Sequence, residues 1–191
     1  MNQRHVGYRT DDMDVAQTIF SYPAQTENIH VALGEYYGKK YVAVTHDMVM
    51  KVFVGTLPRD ETKANLRELT ASTLTVAPTR LTIGENGRLA VIEMPDGYVT
   101  FDIELEKTDT TAFSKPATVV RPLQWIDSYI VANDRGGIAR FYEFDGANQQ
   151  DVMPVVEGQA ISLTGNEKFL YGMSATSDGF ALSRARLILA N

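Results

Sequence analysis

Tyr36, Tyr37, Tyr98 and Tyr142 are the side chains in this sequence best suited to touch a partner, because a phenol joins an apolar ring to a polar tip and each lies on an expected turn or outer strand face. They predict contact rather than catalysis. The carboxylate pairs Asp102 with Glu104 and Glu104 with Glu106 stand two apart, which puts both members on one face of a strand. Paired carboxylates can divide acid and base work at a glycosidic bond. Without a further catalytic partner they read as the solvated acidic rim of a sheet.

Other candidates have plainer readings. His5, His30 and His46 lack the i, i+4 spacing of a helical zinc pair, and the chain has no cysteine to complete a thiolate site. Asp11, Asp12 and Asp14 lack the glycine turn and distal bidentate carboxylate of a calcium loop. The run Phe144-Asp145-Gly146-Ala147-Asn148 has oxygen groups for calcium or a sugar, but Asp and Asn beside Gly are also what a chain reversal needs. Trp125 reads as packing between sheets. The sequence contains no G-x-S-x-G elbow, no phosphate loop and no G-x-G-x-x-G. No catalytic residue, metal or cofactor is therefore expected.

The elements that must hold these residues are strands. Alternating apolar runs end at Asn86-Gly87, Asp96-Gly97, Gly136-Gly137 and Ser177-Asp178-Gly179, residues that tolerate the backbone of tight hairpins. The second turn of each run recurs at Asp47, Asp96, Gly136 and Asp178, at spacings of 49, 40 and 42 residues, with about four strands per repeat. That is the period of a propeller blade. The predicted fold is all-β, a β-propeller-like array of about four antiparallel blades at residues 28–57, 79–113, 122–156 and 159–189, within a single domain of residues 1–191. A β-sandwich is the alternative.

Residues 58–70 break the strand rhythm: Leu66 and Leu69 stand three apart among Asp60, Glu61, Lys63, Arg67 and Glu68, which predicts a short helical insertion between units. Residues 1–27 are expected to supply edge strands. One of them, 5–9 or 16–22, is expected to pair with 180–189 and close the last unit.

The chain has 18 Lys and Arg against 24 Asp and Glu, a net charge of −6, which opposes capture of a nucleic acid. No apolar run is long enough to span a bilayer, and the N-terminus lacks the apolar core of a secretory signal.

The stretches GENGRLAVIEMPDGYVTFDIE, LQWIDSYIVANDRGGIARFYEFDGANQQ and ISLTGNEKFLYGMS together resemble the propeller-like C-terminal region of PEGA-domain proteins from Saccharibacteria. The matching positions are Phe101-Asp102, Trp125 with Asp127, and Phe144 to Asn148, within residues 79–174. The resemblance implies an extracytoplasmic, surface-anchored protein whose propeller binds, with no catalytic residues to carry over. No PEGA module and no anchor is present in this sequence. The expected function is thus a non-catalytic binding or scaffolding module for a protein or glycan at the cell surface. The alternative is a propeller hydrolase or lyase with a site assembled at the channel mouth. Self-association into a homo-oligomer is a third outcome the sequence leaves open.

Overall fold

The computed structural model describes residues 3–11, 13, 15–58, 63–84, 86–113, 122–125, 130–133, 135–156, 161–163 and 169–186. Among them the regular secondary structure is strand, apart from one short 3-10 turn at Arg135–Gly137. β1 (Gln3–Tyr8) and β2 (Gln17–Pro23) pair with each other; β3 (His30–Tyr36), β4 (Lys39–His46), β5 (Val49–Thr56) and β6 (Asn65–Thr73) form an antiparallel meander. A second sheet runs β7 (Arg80–Ile83), β8 (Leu89–Met94), β9 (Gly97–Asp102) and β10 (Lys107–Ala112). A third runs β11 (Gln124–Trp125), β12 (Ile130–Asn133), β13 (Ile138–Glu143) and β14 (Gln150–Pro154), and a last sheet holds β15 (Ser162–Leu163), β16 (Phe169–Thr176) and β17 (Gly179–Arg186). Repeated four-stranded meanders in chain order match the predicted propeller-like array, not a two-sheet sandwich.

The sequence explains which strands are central. β4 reads Tyr41-Val42-Ala43-Val44-Thr45, β-branched and apolar in succession, and all five are buried. β8 and β9 are buried at every position. Such continuous burial marks strands covered on both faces, whereas the outer strand β6 is half exposed.

Two expectations are corrected. Residues 65–70, expected within a helical insertion, are strand: from Asn65 onward they form β6, paired to β5 from Thr56↔Asn65 to Val49↔Thr73. Residues 59–62 lie outside the described set. A register shift between Val52 and Phe53 breaks the alternation of β6, so its leucines fall at a helix-like spacing. Nor do the N-terminal strands take the predicted partner. β1 pairs with β2 from Gln3↔Pro23 to Tyr8↔Gln17, while β17 pairs with β16.

The chain divides into two compact units, residues 1–94 with 101–108, and residues 95–100 with 109–191. The first has Val42, Val44, Met50, Val52 and Leu89 among its most buried side chains. The second holds two apolar clusters: Ala132, Ala139, Val155, Ile161 and Leu170 in one, and Tyr98, Phe113, Leu123, Val131 and Tyr142 in the other.

Candidate functional site

In the first unit, two tight turns bring together a phenol, a guanidinium and two carboxylates. β3 and β4 are joined by Tyr37 and Gly38, both with positive φ (46° and 73°), as the two-residue turn of a right-twisted hairpin requires. Tyr36 and Tyr37 pack at this turn with tilted rings, their centroids 4.4 Å apart. The loop before β8 packs directly on β3. Gly87 (φ 73°) comes so close to Glu35 that a Cβ would lie 1.8 Å from its carbonyl oxygen. Only glycine fits there, and it delivers Arg88 to the site.

The Arg88 guanidinium is held on two sides. Its Nε donates to both Asp102 oxygens at 3.0 Å, its Nη2 donates to Asp102 Oδ2 at 2.6 Å, and its Nη1 lies 2.8 Å from Glu104 Oε2. Asp102 ends β9 and opens a turn, accepting at Oδ1 from the backbone amides of Glu104 (2.9 Å) and Leu105 (3.1 Å). Its side chain is 2 % exposed, against 40 % for Glu104. Buried Asp102 fixes Arg88, and Glu104 carries the same ion-pair network to the surface.

The electrostatics assign protonation. Burial works against the Asp102 charge, but the Arg88 hydrogen bonds and the Leu105 and Glu104 amides outweigh it and hold the carboxyl below the usual range. Tyr36 is pushed the other way, above the usual phenol range, by desolvation and by hydrogen bonds with the Tyr37 and Glu104 side chains. At neutral pH the site therefore presents a protonated phenol beside Glu104, with a guanidinium behind it.

Of the four tyrosines singled out from the sequence, Tyr36 and Tyr37 are at this site, and Tyr37 is 82 % exposed. Tyr98 and Tyr142 are not on outer faces: they are 0 % and 2 % exposed, packed on Phe113 at 5.7 Å each. The Tyr98 hydroxyl donates to the Glu143 carbonyl at 2.7 Å, and burial pushes its pKa up to about 12. A β9 covered on both faces draws its aromatic inward although it follows a turn. Trp125 packs against the same cluster.

The remaining candidates are dispersed. His5 bonds Ser21, His30 bonds the Pro78 carbonyl, and His46 packs against Tyr22 with ring centroids 4.9 Å apart. Asp145 accepts from the Ala147 amide at 2.9 Å, the local bond of a turn. Asp12, Asp14 and Asp127 lie outside the described residues. The pair Asp102 and Glu104 does not share a strand face, because β9 ends at Asp102 and Ile103 to Glu106 turn. Sequence reasoning missed Arg88. The available signal was Asn86-Gly87 ahead of it, a hairpin turn that had to place the next side chain beside the end of β9.

No protein-family model matches the sequence, and no curated protein matches it. Solved structures do. The chain is similar to an oligogalacturonate lyase in complex with manganese, at 15% identity and a TM-score of 0.54, over 91% of this chain and 51% of the lyase. It is also similar to a protein from Lactobacillus plantarum, at 13% identity and a TM-score of 0.50, over 97% of this chain and 64% of that one. A third likeness, to a 6-phosphogluconolactonase assignment from Bacteroides uniformis, has 16% identity and a TM-score of 0.47, over 82% and 53%. The chain thus spans about half the length of the lyase it matches. At these identities the likeness is one of fold, and it supports the propeller-like architecture.

The expected non-catalytic binding module is corrected by this finding. That reading took a propeller-like array without a linear catalytic motif to be a scaffold, yet the same kind of fold carries a lyase. Among the described residues no group of three or more His, Asp or Glu side chains could hold a metal ion.

Proposed function

We propose that this chain is part of a propeller enzyme that cleaves a glycan by elimination, with Tyr36, Glu104 and Arg88 at the reacting end. The observation that carries the reading is the connected row of Tyr36, Glu104 and Arg88, anchored on buried Asp102. In an elimination beside a sugar carboxylate, a base removes the proton from the adjacent carbon, a carbon–carbon double bond forms, and the glycosidic C–O bond breaks. Glu104 is the exposed carboxylate that accepts the proton. Tyr36, kept protonated, donates to the departing oxygen. The hydrogen bond between them returns the proton from Glu104 to Tyr36, so the pair ends as it began. Arg88, itself fixed by Asp102, holds the Glu104 carboxylate in place for that transfer.

The lyase likeness supports a uronate polymer as the first substrate to try, and the extracytoplasmic placement implied by the family resemblance suits a polymer met outside the cell. The test is incubation of the full chain with oligogalacturonate, following ultraviolet absorbance of the unsaturated product and, in parallel, new reducing ends. Elimination raises both. Y36F and E104Q are each expected to lower the rate on the order of 10²-fold with an unchanged circular dichroism spectrum. Reducing ends without the chromophore would replace elimination by hydrolysis; absence of both from acidic and neutral glycans would overturn the reading.

A further inference from the structure

On the other side of the β3–β4 turn, the first unit has a cleft of about 780 Å³ lined by Tyr8, Lys39, Lys40, Val54, Leu57 and Thr56 among others. That size falls within the range of small-molecule sites. Its floor is apolar, from Val54, Leu57 and Pro58, and its polar groups are few: the Tyr8 phenol, the Thr10 and Thr56 hydroxyls and two ammonium groups. Two glycines lie in its wall. At Gly38 a Cβ would meet nothing within 4 Å, and at Gly55 it would lie 2.0 Å from the Asn65 carbonyl oxygen, so that wall accepts no side chain.

The charges are unequal in their availability. Lys40 is ion-paired to Glu35, whose carbonyl in turn abuts Gly87 beside the Arg88 site. Lys39 has no ion-pair partner among the described residues and is exposed at the mouth. In a chain of net charge −6 this leaves one uncompensated cation over an apolar floor. A sugar ring has an apolar face and hydroxyl edges, and a uronate adds one carboxylate. This cleft offers one complement to each.

We propose that the cleft is a subsite for a uronate residue, with the Lys39 ammonium on its carboxylate, the ring over Val54 and Leu57, and Thr10 and Thr56 on its hydroxyls. The proposal rests on the glycan-cleaving reading above. It adds where a second uronate of the substrate is held: the chain crosses the Tyr37-Gly38 turn, which borders both the cleft and the reacting end.

Binding without turnover separates the two. The full chain carrying Y36F is titrated with digalacturonate, with neutral galactobiose and with inorganic phosphate, while the backbone amides of Gly38, Lys39, Gly55 and Thr56 are followed by NMR. Digalacturonate is expected to shift these amides, and galactobiose and phosphate to bind at least about tenfold more weakly, since one charge-assisted hydrogen bond contributes about that factor. K39A is expected to lose about tenfold and K39R to stay near the parent. Equal binding by phosphate or galactobiose, or K39A equal to the parent, overturns the subsite. Shifts at the cleft with no product from the wild-type chain would leave the subsite and remove the cleavage reading; product without shifts would do the reverse.

Discussion

Asp102 does two jobs through one carboxylate: it ends a strand by accepting two backbone amides, and it neutralises Arg88. Replacing it with Asn keeps the shape and removes the charge, leaving Arg88 without its buried counter-ion. That loss is expected to cost about 3 kcal/mol at pH 7. The pH dependence has a definite sign. A carboxyl whose folded pKa is depressed contributes stability that is complete above its unfolded value of about 4 and is lost as pH falls through the folded value. Urea unfolding of wild type and D102N should therefore differ at pH 7, with the gap beginning to close only below about pH 4 and vanishing once the folded carboxyl is protonated. A gap that persists unchanged into acid would mean that the geometry of Asp102, not its charge, supports the site.

At the scale of the element, β16 and β17 show how two leucines alike in sequence differ in worth. Leu170 on β16 is fully buried among Ala132, Ala139, Val155 and Ile161, whereas Leu182 on β17 is 70 % exposed. L170A is expected to destabilise by about 3 kcal/mol through lost burial and the cavity left behind, and L182A by less than about 0.5 kcal/mol. Thermal or urea unfolding of both variants checks the ordering; equal losses would mean that β17 is covered in solution. Alternation and Gly-containing turns made these hairpins legible from sequence, because strand period and turn chemistry are local properties. β6 was illegible for a non-local reason: its bulge answers to β5, and its charges belong to a half-exposed outer strand. The site was half legible on the same grounds. Tyr36 and Tyr37 announce themselves by a hairpin turn, but the Arg88–Asp102 pair joins residues fourteen apart, and their meeting depends on β8 and β9 lying side by side.

Over the whole molecule, charge sets a condition on any anionic substrate. The chain carries −6, so a uronate oligomer approaching from a distance is repelled, while Lys39, the cleft lysine without an ion pair among the described residues, attracts only at contact. The two effects have different ranges, and salt separates them. At about 0.01 M ionic strength the screening length is about 30 Å, comparable with the protein, and the full net charge is felt; at about 0.15 M it is about 8 Å, and mainly the local cation remains. The association rate for digalacturonate, measured by stopped flow on Y36F, is therefore expected to rise severalfold between these conditions and to fall again toward 1 M as the contact itself is screened. A monotonic fall from the lowest salt, the behaviour of a basic protein on a polyanion, would mean that positive charge beyond Lys39 governs the approach, and the substrate path would then have to be sought along another face.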